Sequence, residues 1–326
     1  MIPQTDIFTI SGKKDFEKIA LKVFRYQFDN NLVYQQFCQY LKKDKSNVKS
    51  LIDIPFLPIQ FFKTHEIVST TAAIQQTFTS SGTTGMTTSK HPVTDISIYE
   101  QSYRNGFSEF YGNIEDYCVL ALLPSYLERE GSSLIYMVED LITSSNHPDS
   151  GFYLNNFDDL TSKLIQLDNE GQNVLLIGVT YALLDLIEIQ QFQLKNTIIM
   201  ETGGMKGKRK EMIREELHQL LCEGFGVPVI HSEYGMTELL SQAYSLGNGV
   251  FECPPWMQIL IRDTEDALTY VSEGKTGGIN VIDLANINSC SFIATQDLGK
   301  KYPNHSFEVL GRFDNSDIRG CNLMVI

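Results

Sequence analysis

No run of about 20 apolar residues occurs anywhere in this chain of 326 residues, so no membrane-spanning helix is expected. The opening segment, MIPQTDIFTISGKKDF, lacks the basic-then-apolar order of a secretory signal, and a cytoplasmic location is the expectation. Cysteines stand at 38, 118, 222, 253, 290 and 321 without CxxC spacing. That scatter implies neither a zinc site nor a disulfide framework, and most of them read as reduced core residues. Basic charge is also short: 26 Lys and Arg face 40 Asp and Glu, for a net charge of −14. Nucleic acid and anionic membrane surfaces are poor partners for such a chain. Two nucleotide fingerprints are missing as well, the GxxxxGK(S/T) phosphate loop and the GxGxxG dinucleotide turn.

What is present is a folded-protein composition, 42% hydrophobic and 20% charged, long enough for one large domain or two ordinary ones. One stretch stands out, TFTSSGTTGMTTSKH from Thr77 to His91. Ser80 and Ser81 lead into Gly82, Thr83, Thr84 and Gly85, and Lys90 follows. Glycines let a backbone close on a ligand with its N–H groups turned inward, while hydroxyls and a lysine add donors and charge, as a polyphosphate requires. Read alone, the stretch serves equally as a Ser/Thr/Gly linker.

Around it the pattern is α/β. Residues 13 to 43 carry apolar residues at helical spacing and predict two amphipathic helices, and Pro55 and Pro58 then punctuate an extended lead-in. A short strand is expected at 75–79 and a helix over SIYEQSYRNGFSEFYG, which would put the loop between a strand and a helix. Strand–turn–helix units are then expected from Cys118 to Ile142, from Asn173 to Ile189 with a turn at Gly178, from Asn196 with strand 197–200 and a helix from about 208, and over PVIHSEYGMTELLSQA. Buried strands alternating with helices indicate a mostly parallel sheet, with ligands beyond its carboxyl ends. From about 250 the segments WMQILIRD, GGINVIDL, CSFIATQDLG and HSFEVLGRFD read as a smaller β-rich subdomain. The expected division is an α/β core over 1–249 and the β-rich part over 250–326.

The second chemical signal is EYGMTEL, from Glu233 to Leu239. Tyr234 and Gly235 could present an aromatic plane to a base, Thr237 a hydroxyl, and Glu238 a carboxylate for Mg²⁺ between phosphate oxygens. Core packing, helix capping and a first-turn acid account for the same residues singly. His231 is open to two readings, an acyl-pocket residue or a satisfied structural histidine. Glu128 and Arg129 read as an ion pair, and MKGKRK at 205–210 as a solvated helix start.

Taken together, the two stretches resemble the adenylate-forming superfamily, which activates carboxylates with ATP. Its (S/T)SG(S/T)TG loop with a following lysine is matched by Ser80, Ser81, Gly82, Thr83, Thr84, Gly85 and Lys90, and its YGxTE motif by Tyr234, Gly235, Thr237 and Glu238. TQDLG at 295–299 is similar to the segment whose aspartate holds the ribose hydroxyls, here Asp297. GRFDNSDIRG from 311 is similar to the hinge, here with Arg312 and Asp314. The segments IPFLPIQFFKTHEIV, LLPSYLEREGSSLIYMV, METGGMKGK and SDIRGCNL further resemble the acyl-protein synthetase (LuxE-like) branch.

That resemblance implies the N-terminal domain of an adenylate-forming enzyme, its mobile C-terminal lid absent, with ATP and Mg²⁺ as cofactors. A fatty acid would become acyl-AMP, pass to a cysteine matched by Cys321, and move on to a reductase or carrier partner. It further implies Thr237, Lys90 and Arg312 as catalytic neighbours, Gly203 and Gly204 as the turn near the adenine with Lys206 after it, and Glu238 as the metal ligand. By similarity to phenylacetate–CoA ligases, GVTYALLDL is the substrate-side helix, with Gly178 and Tyr181. The spacing from Gly85 to Lys90 is longer than the family pattern and lacks its proline. Two other readings are a CoA ligase or carrier-loading enzyme of the same superfamily and a non-catalytic nucleotide-binding regulatory subunit.

Overall fold

The protein is described by a computed structural model covering residues 4–80, 88–123, 131–153, 156–203, 209 and 212–313. After a short helix α1 (Gln4–Phe8), the predicted helix pair forms as α2 (Lys13–Asn30) and α3 (Leu32–Tyr40). Helix α2 buries Phe16, Ile19, Ala20, Val23, Phe24 and Phe28, one stripe at spacings of three and four. The proline-punctuated lead-in becomes strand β1 (Leu57–Pro58), followed by α4 (Phe61–Thr64).

Strands β2 (Gln76–Thr79) and β3 (Lys90–Val93) pair antiparallel, with Thr79 opposite Lys90. The Ser/Thr/Gly loop therefore joins two strands of a hairpin, and the expected strand-to-helix placement is corrected. Asp95 caps α5 (Ile96–Tyr111) only after β3 has returned.

A mostly parallel sheet follows, in the order β5-β4-β6-β7-β8-β9. Its strands are β4 (Cys118–Leu122), β5 (Gly151–Phe152), β6 (Val174–Val179), β7 (Thr197–Thr202), β8 (His231–Tyr234) and β9 (Ala243–Ser245). Helices α6 (Ser133–Ser145), α7 (Phe157–Asn169), α8 (Thr180–Ile189) and α9 (Arg214–Phe225) alternate with them. Every residue of β4 and β6 is buried, as runs covered on both faces require.

Three boundaries differ from the sequence reading. Gly178 lies inside β6 rather than in a turn, because a Cβ there would overlap the Leu183 side chain, and its absence lets α8 pack close. Helix α9 starts at Arg214, after the non-helical Met212 and Ile213, and the residues around 208 lie largely outside the described ones. No helix follows Gly235. The amides of Leu240 and Ser241 donate to the buried Asp283 carboxylate at 2.8 and 3.0 Å, so an outside acceptor replaces the helical ladder and the chain returns as the antiparallel β9.

The β-rich part forms as expected, in the order β10-β14-β13-β12-β11, with β1 added parallel to β13. Its strands are β10 (Val250–Phe251), β11 (Met257–Arg262), β12 (Thr276–Asp283), β13 (Phe292–Lys301) and β14 (Phe307–Arg312). A buried glutamine ties this sheet to α2. Gln27 donates to the Asn286 and Ile287 carbonyls at 2.9 and 3.0 Å and accepts from the Ser291 amide. Asn286 in turn donates to the Glu238 carbonyl at 2.8 Å, so α2 fixes the turn after β8 through one intermediate residue.

Candidate active site

The site lies where the β2–β3 hairpin, the turn after β8 and the last two strands meet. At the mouth of the Ser/Thr/Gly loop, the Ser80 hydroxyl accepts from the Ser89 amide at 2.8 Å and the Ser80 amide donates to the Ser89 carbonyl at 3.1 Å. Ser81, Gly82, Thr83, Thr84 and Gly85 lie outside the described residues, as do Gly204, Lys206, Glu128, Arg129, Asp314 and Cys321. Lys90 stands exposed at the start of β3, one residue past Ser89.

Two side chains of this hairpin reach the EYGMTEL turn. His91 is fully buried, packs edge-on against Phe62, and donates from Nδ1 to the Thr237 carbonyl at 2.8 Å. A carbonyl only accepts, so Nδ1 carries the proton; burial pushes the imidazole down to about 4, which keeps the ring neutral. The Ser89 side chain faces the Glu238 carboxylate and favours its charged form. Glu238 is buried, and its carboxyl lies above its ordinary value because desolvation outweighs Ser89, Arg312 and Lys63.

On the other side of the turn, the Tyr234 hydroxyl donates to Asp297 Oδ2 at 2.8 Å, and Arg312 Nε reaches Asp297 Oδ1 at 3.3 Å. The Tyr234 ring is buried edge-on between Phe251 and Phe307, whereas the Arg312 side chain is 82% exposed. Thr295 supports the aspartate through a bond to its amide. Buried Arg262 holds the Thr295 and Ile279 carbonyls from behind. Tyr234, Asp297 and Arg312, from three motif segments, are thus in direct contact, and the Thr237 carbonyl of the same turn meets the hairpin that carries Ser80 and Lys90.

The remaining expected residues lie at the carboxyl ends of the parallel strands. Gly203 ends β7 with φ +67°, and its carbonyl accepts from Thr180 at 2.9 Å. Tyr181 is buried on α8. His231 meets the Tyr111 hydroxyl through Nδ1 at 3.2 Å. A Cβ on Gly235 would collide with the Glu233 carboxylate, which explains the glycine of the turn.

Sequence reasoning missed Ser89, His91, Glu233 and Asp283. Ser89 and His91 adjoin the flagged loop, and Glu233 shares the period-2 face of His231. Asp283 carries no local signal, since it acts across 42 residues on Ser241.

The donor set around Glu238 is one carboxylate and one hydroxyl. Among the described residues no group of three His, Cys, Asp or Glu could hold a metal ion. This suits Mg²⁺, which takes one or two carboxylates and fills its octahedron with phosphate oxygens and water.

The fold is shared with solved CoA ligases. It is similar to a 2-hydroxyisobutyryl-CoA ligase in complex with 2-HIB-AMP and CoA, with a TM-score of 0.67 and 12% identity, covering 93% of this chain and 70% of that one. It is also similar to ATP-bound MatB from Rhodopseudomonas palustris, with a TM-score of 0.54 and 17% identity over 75% of this chain and 49% of that one. At the level of sequence, residues 6–113 and 133–326 match the family described as acyl-protein synthetase, LuxE, and the chain belongs to that family of ligases. A long-chain-fatty-acid–luciferin-component ligase of Vibrio harveyi is 24% identical over 332 residues, 94% of this chain and 86% of that protein. A protein of the same name from Photorhabdus luminescens is 37% identical over 71 residues, 22% of this chain and 60% of that one. Among the described residues no helix is long and apolar enough to cross a membrane.

Proposed function

We propose that the protein activates a long-chain fatty acid or related carboxylic acid with ATP, forming acyl-AMP, and transfers the acyl group to the Cys321 thiol and then to a reductase or carrier partner. The observation that carries the reading is the bond from the β2–β3 hairpin to the turn, His91 to the Thr237 carbonyl. It would hold a phosphate-loop hairpin against the turn whose Glu238 would bind Mg²⁺, as in-line attack on an α-phosphorus needs. Membership of the LuxE family and the names of the Vibrio and Photorhabdus relatives support the fatty-acid and acyl-protein parts.

A carboxylate is a poor electrophile, and exchange of pyrophosphate for its oxygen on the α-phosphorus makes it a mixed anhydride. The work of the site is positioning and charge neutralisation. Ser80, Ser81, Gly82, Thr83, Thr84 and Gly85, with Lys90, would cradle the β- and γ-phosphates. The Thr237 hydroxyl and the Arg312 guanidinium would meet the α-phosphate. Asp297 would accept from the ribose hydroxyls, and Gly203, Gly204, Tyr234 and Gly235 would frame the adenine. Bound at Glu238, Mg²⁺ would supply a Lewis acid that neutralises phosphate charge. The acyl part would lie along α8 past Gly178 and Tyr181 toward His231. Attack on the acyl carbon needs a thiolate, and Arg319 is two residues from Cys321.

ATP–pyrophosphate exchange tests the reading. Exchange should require both a carboxylic acid and Mg²⁺. Cys321→Ser should keep exchange while losing covalent labelling by a radiolabelled acid. Labelling that survives the substitution removes Cys321 from the scheme, and ATP binding without exchange for any acid points to a nucleotide-binding regulatory subunit.

A further inference from the structure

The face of the parallel sheet turned toward α5 carries an acid that the site above does not use. Glu233 lies opposite Thr202 on β7 and opposite Tyr244 on β9, so the three side chains share one face, and His231 stands two residues earlier on the same side. Thr202 donates to Glu233 Oε2 at 2.6 Å. Among the described residues no donor reaches Oε1, which lies over Gly235. Tyr111 and Tyr244 stack edge to face beside it with ring centres 5.5 Å apart. Tyr244 is 2% exposed, and among the described residues its hydroxyl has no hydrogen-bond partner.

The cation beside the neighbouring strands is engaged elsewhere. Arg214 lies on the opposite face with Glu201 at 2.5 Å, beside His218 and Ser232. A half-buried carboxylate oxygen walled by aromatic rings and, among the described residues, given no cation suits a donor brought by a ligand, an ammonium or a hydroxyl. Burial pushes the Glu233 carboxyl up to about 7, and a donor at Oε1 would relieve that cost.

We infer that Glu233 is a specificity-determining residue that receives a hydrogen-bond donor, an amino or hydroxyl substituent, on the acyl substrate near its carboxylate. The assignment rests on the proposed adenylation, and it narrows the substrate class from plain fatty acids to donor-bearing ones. Proximity to Gly235, two residues before Thr237, limits the substituent to the carbons nearest the carboxylate.

The test is ATP–pyrophosphate exchange by the full chain with saturated acids of matched length, each plain or bearing one hydroxyl or amino group at carbon 2, 3 or 4. The wild type should favour one donor-bearing acid by at least about tenfold in kcat/KM, since a site built for a donor rejects the analogue lacking it. Glu233→Gln should shrink that preference and Glu233→Leu should reverse it, with KM for ATP unchanged. The wild-type comparison stands even where a variant fails to fold. Equal or better exchange with plain acids overturns the inference alone. So does a Glu233→Gln variant that raises KM for ATP and leaves acid preference intact, because the carboxylate would then serve the adenine. Absence of exchange with every acid overturns the adenylation reading and this inference with it.

Discussion

The two large sheets use buried charge in opposite ways. In the antiparallel sheet Asp283 and Arg262 are buried and saturated by the chain. Asp283 accepts from the Leu240, Ser241 and Ala285 amides and the Ser241 hydroxyl, and Arg262 donates to the Ile279 and Thr295 carbonyls and to Asn280. At the carboxyl ends of the parallel sheet two acids are left short, whereas Glu201 is held by Thr180 and Arg214. Among the described residues Glu233 has one donor, and the Glu238 carboxyl stays raised by burial despite Ser89, Arg312 and Lys63. Saturated groups hold a framework, whereas under-saturated acids at strand ends await a ligand. Asp297 is the link between the two regimes, held by Tyr234 from one sheet and Arg312 from the other.

Substitutions should separate the two classes by what they damage. Asp283→Ala orphans three amides and a hydroxyl, and denaturant unfolding should record a loss of roughly 4 kcal/mol. A loss under 1 kcal/mol would break the contrast at its strongest point. Arg262→Met frees two carbonyls and an asparagine oxygen and should cost about 3 kcal/mol in the same measurement. Tyr234→Phe removes one donor from Asp297; about 1 kcal/mol of stability should go, together with a severalfold rise in KM for ATP. A stability loss with KM unmoved would assign Tyr234 to the framework alone.

A pH series sharpens the same division. Burial raises Asp283 from an ordinary 3.8 to about 6 in the folded chain. Between those values the folded state binds the extra proton, so this residue's contribution to stability is whole below pH 3.8 and declines as pH rises through 6. Thermal midpoints of the wild type should therefore fall relative to Asp283→Asn, which does not titrate, as pH is raised from 4 to 6. A gap that stays constant would show that Asp283 remains ionised throughout.

Much of this was legible in the sequence because periodic patterns are local. The fully apolar VLLIGV and CVLAL segments announced buried parallel strands, and the stripe of α2 announced its packing face. The segments EYGMTEL, TQDLG and GRFD carry Tyr234, Asp297 and Arg312, whose mutual contact is visible only in the fold. What stayed hidden depends on partners distant in sequence. The helix expected after Gly235 fails because Asp283 satisfies the Leu240 and Ser241 amides, and no local feature of SEYGMTELLSQ reports an acceptor more than 40 residues on. The hairpin around the Ser/Thr/Gly loop escaped because KHPV is too short to read as a strand. Gly178 was taken for a turn because its reason, the Leu183 side chain above it, is a packing contact.

The central claim is that the hairpin and the turn after β8 form one adenylation site around Glu238. Pyrophosphate exchange by Glu238→Gln tests it most directly, with the thermal midpoint measured on the same sample. The carboxyl is already raised by burial, so a neutral amide of the same shape should leave the midpoint level or higher. Exchange should fall by about 100-fold or more, the scale for losing one electrostatic element of a preorganised site. Exchange at the wild-type rate in a stably folded Glu238→Gln protein would contradict the account.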